Sequence, residues 1–334
     1  MRKEHLKFLI CPDCRGELRF ATVETEKENC IETGTLACGK CCQSFPIIKF
    51  IPRFVPVENY ASGFGLEWTK HARTQYDSYT GSKVSETRFF NETKWPRQMP
   101  GELILEAGSG SGRFTELAAA TGTMVISLDF SYAVEANYAS NGKKSNVLIV
   151  QADIFKMPFR ENFFDKLFCF GVLQHTPDPA KAFAILPAFL KQGGALAVDV
   201  YKRNDSLRGH LGKLVSTKYF VRPFTRRMEP EKLYERCKGY VNFMWPVARV
   251  LNKIPKVGNW LNWRLMIADY RGIHDLPDEM LKEWAVLDTF DMTSPRYDFP
   301  QTKETLENWF TDANLAKIDV HFGYNGIEGR GVKK

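Results

Sequence analysis

The middle of the chain alternates short apolar runs with turns that carry glycine or an acidic residue. Apolar runs of this length, bounded by Gly, Pro or Asp, are typical of buried β-strands. Between the first two runs, Arg113 to Ala120 has a helical pattern. Strands that alternate with helices predict an α/β fold with a mainly parallel sheet. The apolar runs lie at 103–106, 124–128, 147–153, 163–170 and 195–201.

The end of the chain resumes this pattern after a long interruption at residues 202–300. A helix is expected from Thr302 to Ala313, and Thr302 has the residue type that caps a helix N-terminus. Residues 318–322 predict a sixth strand, and residues 327–332 predict a seventh, antiparallel strand.

Cysteines add a small separate unit at the start of the chain. Six of the eight cysteines lie in the first 42 residues. Cys11 and Cys14 form one CxxC pair, and Cys38 and Cys41 form a second. Four thiolates at this spacing predict a tetrahedral structural Zn²⁺ site, because so short a segment cannot build a sufficient core alone. Reduced free thiols, or a site that has lost its metal, are the alternatives.

The residues after the second pair extend this interpretation. Phe45-Pro46-Ile47 and Ile51-Pro52 follow the cysteines. Residues 7–57 resemble the zinc-ribbon family of methyltransferase activator subunits. The chain departs from that family's pattern at Cys42, where glycine is expected, so Cys42 is a register alternative to Cys41 as the fourth ligand. Cys30 is interpreted as a bystander in a charged loop.

A glycine-rich turn follows the first predicted strand. It reads Glu106-Ala-Gly108-Ser-Gly110-Ser-Gly112-Arg113 and leads directly into the predicted helix. Strand, glycine turn and helix together form the start of a nucleotide-binding unit. Asp129 ends the next strand, where a carboxylate accepts hydrogen bonds from ribose hydroxyls.

Dinucleotides and S-adenosylmethionine are both bound by this arrangement, and the details of the turn distinguish the two cofactor classes. The third glycine comes one position earlier than in the dinucleotide GxGxxG pattern, where Arg113 now stands. An acidic residue before the first glycine also suits a positively charged ligand better than a pyrophosphate. S-adenosylmethionine carries a sulfonium and an ammonium group, so the turn favours this cofactor over a dinucleotide.

Several further blocks strengthen that preference. The blocks EAGSGSG, LDFS, QADIFKMPF, FDKLFCFGVLQHTPDP and LKQGGALAVDVY occur in order. From Glu106 to about Gly194 the chain resembles the class I S-adenosylmethionine-dependent methyltransferases, in the branch with quinone methyltransferases. The resemblance implies a Rossmann-like, seven-stranded methyltransferase sheet with a helical insertion, preceded by the small zinc ribbon.

The resemblance also implies the cofactor site. Glu106, Gly108, Gly110 and Gly112 would surround the methionine moiety, and Asp129 would hold the ribose. Asp153 and Ile154 would flank the adenine, while Gly171 and Gln174 would line the loop beside the methyl group. A helix-capping role for Asp153 and a turn role for Asp129 are the structural alternatives.

Residues near the expected methyl group and cofactor cover are less specified. His175 is a candidate general base, although a loop-orienting histidine bonded to backbone is the alternative. His210, His274 and His321 lack the context needed to choose among them. Trp68, Gln75 and Arg88 are expected to help cover the cofactor, or else to pack a helix pair on the sheet edge. The segment 297–300 is expected to approach the acceptor.

Charge is unevenly distributed along the chain. The chain carries a net charge of +7, whereas residues 201–271 alone hold 16 Lys and Arg against 5 Asp and Glu, a net +11. This basic, aromatic lid suggests an anionic or amphipathic acceptor, or contact with an anionic membrane surface. A solvated helical face is the alternative.

Composition sets the remaining expectations. With 44% hydrophobic and 25% charged residues, the chain resembles an ordinary globular protein. No apolar run reaches the ~18–20 residues of a membrane span, and no secretory signal is visible, so a cytoplasmic location is expected.

The predicted function is S-adenosylmethionine-dependent methylation of a small-molecule, lipid or saccharide acceptor, by O-methylation in a biosynthetic pathway. An RNA methyltransferase that uses the ribbon and the basic lid is the main alternative, although the strand-four block lacks the pattern of base-amine methylators. A non-catalytic scaffold is a third possibility. The predicted divisions are a zinc ribbon at 1–57, cofactor-covering helices at 58–100, the cofactor-binding core at 101–201, the basic lid at 202–300, and a completing helix and strands at 301–334.

Overall fold

A seven-stranded mixed sheet forms the centre of the molecule. The computed structural model describes residues 1–57, 59–203, 217–255 and 257–334. The sheet confirms the α/β prediction, and its spatial order is β10-β11-β9-β8-β5-β6-β7. Its strands are β5 (Leu103–Ala107), β6 (Met124–Asp129), β7 (Val147–Gln151), β8 (Phe164–Cys169), β9 (Leu190–Val200), β10 (Leu315–Gly323) and β11 (Gly326–Lys333).

The strands pair as the sequence predicts. Strands β5 to β9 are mutually parallel, and β11 runs antiparallel to both β9 and β10. The chain order reverses between β5 and β8, and ligands bind outside the carboxyl ends of the strands at such a switch point. The candidate site is therefore expected at the loops after β5, β6, β7 and β8.

Helices cover the two faces of this sheet. The strand-flanking helices are α4 (Arg113–Ala120), α5 (Val134–Asn141), α6 (Pro179–Phe189) and α11 (Lys303–Asp312). Thr302 caps α11 as predicted, because its hydroxyl oxygen accepts a 3.1 Å hydrogen bond from the Thr305 amide. Apolar side chains between these helices and the sheet are almost fully buried, among them Phe168, Phe183 and Phe310.

Two further groups of helices lie at the carboxyl edge of the sheet. The group that precedes the sheet comprises α1 (Ser62–Lys70), α2 (Asp77–Thr80) and α3 (Val84–Thr93). The lid comprises α7 (Thr217–Thr225), α8 (Pro230–Leu251), α9 (Gly258–Arg264) and α10 (Asp278–Thr293). Helix α1 joins the lid core, where Leu66 packs with Val241 and Phe290.

The N-terminal unit is a second, four-stranded antiparallel sheet. Its strands are β1 (Leu18–Lys27), β2 (Cys30–Cys38), β3 (Ser44–Ile48) and β4 (Ile51–Pro52). Cys30 begins β2 and is buried, so its predicted place in a charged loop is wrong. The loop was expected because charged residues surround this cysteine in sequence, but they lie on a hairpin.

None of the helices in the described ranges combines the length and the hydropathy that crossing a bilayer requires. His210 lies outside the described residues, as does part of the predicted lid at 204–216.

Candidate functional site

The glycine turn after β5 adopts a backbone that side chains resist. Gly108, Gly110 and Gly112 have φ angles of +88°, +52° and +93°. A Cβ at Gly108 would lie 2.2 Å from Val172 Cγ2, and one at Gly112 would lie 2.1 Å from Asn137 Oδ1. Glycine is therefore required here by both the backbone conformation and the space available.

Asp129, at the end of β6, holds this turn in place. Its Oδ2 accepts a 2.8 Å hydrogen bond from the Gly110 amide, and its Oδ1 accepts bonds from the Ser131 amide and hydroxyl. Burial raises the pKa of the carboxyl above its usual value. Asp129 therefore stabilises the turn and also lies beside a cavity.

Asp153 follows β7 and behaves similarly. Its Oδ1 accepts a 2.9 Å hydrogen bond from the Phe155 amide and caps a short 3-10 turn that begins at Ile154. The capping role considered from the sequence is thus present, and Asp153 also lies in the wall of the cavity that Asp129 lines.

These residues open on one cavity of about 660 Å³, within the ~300–1,000 Å³ range of ligand pockets. The sheet edge forms one side of the cavity, and α1, α3 and the lid form the other. Of the sequence-predicted residues, those in the cavity wall are Gly108, Gly110, Asp129, Asp153, Ile154, Gly171, His175, Trp68, Gln75 and Arg88.

Three residues predicted for the cofactor site lie outside this wall: Glu106, Gly112 and Gln174. Glu106 is buried behind the turn, where its Oε2 accepts hydrogen bonds from the hydroxyls of Thr115 and Ser127. Burial raises its pKa to about 8. Glu106 therefore lies behind the turn and joins α4 to β6 through these hydrogen bonds.

The loop after β8 brings His175 to the cavity and turns Gln174 away from it. His175 Nδ1 lies 3.0 Å from the Tyr297 carbonyl oxygen, and the residue is 8% exposed. If Nδ1 donates to that carbonyl, Nε2, which has no partner, carries the free lone pair. Both roles considered from the sequence, backbone anchoring and proton acceptance, are therefore geometrically compatible.

The segment 297–300 contacts this loop and the cavity, and its predicted approach to the acceptor stays a prediction. The Phe299 amide donates a 2.9 Å hydrogen bond to the Gln174 carbonyl, and Asp298 lies in the cavity wall. His274 and His321 are not among the wall residues.

Arg88 lies in the wall but is already paired. Its guanidinium contacts Glu92 at 2.5 Å and forms a second ion pair with Asp199, which is fully buried. Asp199 in turn accepts a 2.5 Å hydrogen bond from the Gly171 amide. Arg88 thereby fixes the loop after β8 through Asp199.

Several wall residues carry no local sequence signal. Arg113 stood in the sequence only as the residue in place of a third glycine, yet its side chain lines the cavity. Burial and the charge of Arg88 lower its pKa to about 10. Tyr60 and Phe130 form an aromatic pair 4.7 Å apart that lines the cavity, together with Asp129 and Asp153.

The acidic group on the lid side of the wall was not predicted. This side contains an acidic and aromatic group drawn from distant segments: Glu67, Tyr201, Tyr270, Trp284, Asp288 and Asp291. On α10 the spacing of Trp284, Asp288 and Asp291 places them on one helix face, which is a signal the sequence did carry.

The four cysteines of the two CxxC pairs converge in the ribbon. Their Sγ atoms lie within 4.8 Å of one another, with Cys11 and Cys41 3.6 Å apart and Cys14 and Cys38 3.4 Å apart. A tetrahedral ion with Zn–S bonds of ~2.3 Å requires sulfur separations of about 3.8 Å, so the four thiols fit a zinc ion.

Cys42 is not part of this cluster. It is exposed and has a φ angle of +59°, a left-handed conformation in which glycine is favoured. The geometry selects Cys41 as the fourth member. The glycine of the activator family's pattern suits the same backbone conformation.

The ribbon is packed tightly against the sheet domain. Arg53 is 1% exposed and donates hydrogen bonds to Gln151 Oε1 (2.6 Å) and Glu135 Oε1 (2.8 Å). Arg15 donates to the carbonyl oxygens of Met157 and Phe159. One hydrophobic cluster spans both units, so the ribbon is built into the fold.

Comparison with known proteins identifies both units. Residues 105–198 match the family model of a methyltransferase domain, and residues 2–49 match that of Trm112p-like proteins. The chain therefore combines a methyltransferase domain with a Trm112-like zinc-ribbon domain.

Curated relatives match over the sheet domain. The chain is 35% identical over 110 residues to the sterol 24-C-methyltransferase ERG6 of Saccharomyces cerevisiae, covering 31% of this chain and 29% of that protein. It is 25% identical over 155 residues to a ubiquinone biosynthesis O-methyltransferase of Azotobacter vinelandii, covering 42% and 65%. The chain thus spans less than two thirds of the length of these relatives.

Solved structures resemble the chain more broadly but weakly. A SAM-dependent methyltransferase from Aquifex aeolicus covers 82% of this chain and 97% of its own, with 11% identity and a TM-score of 0.39. The complex of the Haloferax volcanii Trm112 methyltransferase activator with a candidate methyltransferase covers 80% of this chain and 96% of its own, at 13% identity and a TM-score of 0.43. TM-scores below 0.5 carry no functional argument.

Proposed function

We propose that this protein transfers a methyl group from S-adenosylmethionine to a small-molecule acceptor. The observation that carries the proposal is the pair of carboxylates at the ends of β6 and β7, Asp129 and Asp153, which share one cavity with the glycine turn. The methyltransferase-domain match over 105–198 supports the same activity.

The wall residues suggest how the cofactor would be held. Gly108 and Gly110 let the backbone approach the methionine moiety, and Asp129 has acceptor capacity left for ribose hydroxyls. Asp153 and Ile154, together with Tyr60, would flank the adenine. Arg113 offers a buried guanidinium for the methionine carboxylate.

In the reaction, the residues of this chain would position the acceptor and accept its proton. The bound cofactor supplies an electrophilic methyl carbon on a sulfonium sulfur. Alignment of an acceptor with that carbon can supply ~7–11 kcal/mol of the barrier reduction. His175 Nε2, which is buried and has no partner, is a candidate to take the acceptor's proton.

Titration calorimetry with S-adenosylhomocysteine, the demethylated product, tests the proposal. We expect binding with a dissociation constant in the micromolar range, about −8 kcal/mol. The absence of binding by folded protein would overturn the proposal. It would also favour the non-catalytic scaffold considered from the sequence.

We further propose that Cys11, Cys14, Cys38 and Cys41 hold a structural zinc ion. The purified protein should contain about one zinc per chain, and Cys14→Ser should lose it and unfold the ribbon. Cys30→Ser is the matched control, because Cys30 lies outside the cluster, and it should retain the metal. Full metal retention by Cys14→Ser would contradict the assignment.

A small-molecule acceptor is preferred over RNA because the ribbon carries little net positive charge. Residues 1–57 hold 9 Lys and Arg against 7 Asp and Glu, a weak basic excess for an RNA-binding module. The Trm112-like match is the observation that keeps the RNA alternative under test. Methyl incorporation into total RNA, rather than into a small-molecule extract, would favour that alternative, as would RNA binding with a steep salt dependence.

The lid surface suggests how an amphipathic acceptor, such as a lipid, would arrive. On α8, Phe243, Val247 and Val250 recur at helical spacing and are 78%, 43% and 64% exposed. Exposed apolar residues on a basic helix are typical of peripheral binding to anionic bilayers. Trp260, on the next helix, is exposed and also lines the cavity.

Vesicle sedimentation tests this membrane contact. The protein should sediment with vesicles that contain ~30% phosphatidylglycerol and much less with pure phosphatidylcholine. Phe243→Ser should weaken that binding, whereas Val23→Ser, an exposed apolar position on the ribbon, should not. Equal sedimentation with both vesicle types would count against the contact.

A further inference from the structure

Three carboxylates line the cavity on the side formed by α1 and the lid. Glu67 comes from α1, and Asp288 and Asp291 come from α10, one turn apart. All three belong to the cavity wall. They lie close enough that the charges of Asp288 and Asp291 contribute to raising the pKa of Glu67 well above its usual value, although burial is the larger cause.

Glu67 lacks the partners that a buried carboxylate needs. It is 1% exposed, and its buried Oε2 has no hydrogen-bond partner among the residues that the structure describes. Leaving a buried charged or polar group unpaired is costly, so such a group in a cavity wall indicates that a ligand supplies the missing donors.

The neighbouring acids are only partly satisfied. Asp288 accepts a 2.5 Å hydrogen bond from the Tyr270 hydroxyl, and Asp291 accepts one of 3.3 Å from the Tyr201 hydroxyl. Among the described residues, neither acid forms an ion pair with Lys, Arg or His within 4.0 Å, and the same holds for Glu67. Asp298, also in the wall, is by contrast neutralised by Lys218 and Arg222.

Aromatic rings surround the three acids. Tyr270 and Trp284 pack edge to face, with ring centres 5.4 Å apart, and both line the cavity, as does Trp263. Aromatic faces attract cations, and carboxylates do so more strongly. Arg113 also lies in this cavity wall and its charge acts on Asp288, but among the described residues it forms no ion pair with the three acids. Acids without an ion-paired cation, next to aromatic rings, are chemically matched to a positively charged group.

We propose that Glu67, Asp288 and Asp291 bind a basic amine of the acceptor, so that the methylated atom is nitrogen. This proposal rests on the methyl transfer proposed above and specifies its substrate class. It departs from the hydroxyl and anionic acceptors expected from the sequence. The anionic acceptor was expected from the lid's basic charge, which belongs to residues 201–271 and not to these three wall positions.

The amine must lose a proton before it can react. The incoming ammonium transfers one proton to a carboxylate of this group, which frees the nitrogen lone pair. That lone pair forms the new N–C bond while the S–C bond breaks, and its electron pair stays on sulfur. The products are the methylated ammonium and S-adenosylhomocysteine, and the carboxylic acid then releases its proton to solvent.

The test compares matched probes on protein saturated with S-adenosylhomocysteine. The probes are phenethylamine, 2-phenylethanol, 3-phenylpropanoate and methyl glucoside, each titrated up to ~10 mM by calorimetry. We expect phenethylamine to bind at least about tenfold more tightly than the other three. Equal or tighter binding of the alcohol, carboxylate or sugar would overturn the proposal, as would no binding of any probe.

Variants assign that preference to the three acids. Glu67→Gln, Asp288→Asn and Asp291→Asn keep the side-chain shape, and each should weaken phenethylamine binding at least about fivefold while leaving 2-phenylethanol unchanged. Glu307→Gln removes an exposed charge on α11 and should change neither. Unchanged amine binding in all three wall variants would overturn the proposal.

The two proposals fail separately. Loss of S-adenosylhomocysteine binding in the parent protein would refute the cofactor assignment, whereas normal binding without amine preference refutes only the amine site. If Glu67→Gln instead lowers affinity for S-adenosylmethionine but not for S-adenosylhomocysteine, and no amine is preferred, the acids serve the cofactor's sulfonium and the amine proposal is wrong.

Discussion

The two sides of the cavity are built on different principles. On the sheet side, the Asp129 carboxylate accepts hydrogen bonds from the Gly110 and Ser131 amides, and the three glycines of the turn have positive φ angles. On the lid side, within the described ranges, Glu67 has an oxygen without a partner, and neither Asp288 nor Asp291 forms an ion pair. The Asp129 carboxylate is thus satisfied within the fold, although Ser109 Oγ and His175 Nε2 on the same side have no partner among the described residues. On the lid side it is the carboxylates themselves that lack a partner or an ion-paired cation. We infer that the sheet side holds an invariant cofactor and that the lid side sets acceptor choice.

The largest expected effect is a loss of stability caused by a substitution in the glycine turn on the sheet side. Gly112→Ala combines a left-handed backbone with a Cβ 2.1 Å from Asn137 Oδ1, so it should lower the free energy of unfolding by ~3 kcal/mol or more. Gly101→Ala is the matched control, because Gly101 has a φ of +84° but no atom within 4 Å of the added Cβ. It should cost about 1–2 kcal/mol. Urea denaturation measures both, and equal losses would contradict the steric argument.

The next effect separates residues in the wall from those behind it. Asp129→Asn should weaken S-adenosylhomocysteine binding ~30-fold, which corresponds to the loss of about 2 kcal/mol in charge-assisted hydrogen bonds. Glu106→Gln should weaken it less than ~3-fold, because Glu106 lies outside the cavity wall. Calorimetry on both variants decides, and a larger loss for Glu106→Gln would reverse the assignment of these two acids.

A smaller effect sharpens the description of the lid side. Burial raises the pKa of Asp288 from 3.8 to about 7, so the folded protein binds this proton more tightly than the unfolded chain does. Its contribution to stability is therefore present below pH ~4 and is lost as the pH rises to about 7. Asp288→Asn removes this dependence.

The stability of Asp288→Asn relative to the parent should consequently increase between pH 5 and pH 8, by ~2–4 °C in melting temperature. Thermal unfolding across this range measures the difference. Glu307→Gln, at an exposed ion pair, should show a nearly constant difference. A melting-temperature difference for Asp288→Asn that does not change with pH would mean that the Asp288 carboxyl is not buried in an acidic environment.

The smallest expected effect concerns Gln174. Its side chain is fully buried, and in the described part of the chain neither its Oε1 nor its Nε2 has a partner. Replacing an unsatisfied amide by an apolar group of similar shape is nearly neutral or stabilising. Gln174→Met should therefore keep S-adenosylhomocysteine affinity within about twofold and should not lower the melting temperature. A large loss of affinity would restore Gln174 to the cofactor site.

Much of the fold was predictable, because it depends on short-range patterns. The strand, glycine turn and helix from 103 to 120, the Thr302 cap and the paired C-terminal strands all appear where apolar periodicity and capping residues indicated. The position of Gln174 could not be predicted, because consecutive residues in a short 3-10 turn face different ways. The choice of Cys41 over Cys42 also required the backbone conformation.

The sequence by itself determined the sheet side of the cavity. Gly108 follows β5 directly, Asp129 ends β6 and Asp153 lies two residues beyond β7, and parallel strands bring their carboxyl ends to one edge. Only the tertiary structure decided the lid side, since Glu67 and Asp288 meet through the packing of α1 against the lid core. A carboxylate that looks like an ordinary surface charge in sequence acquires its chemistry from what faces it across a buried space, and no local pattern specifies that neighbour.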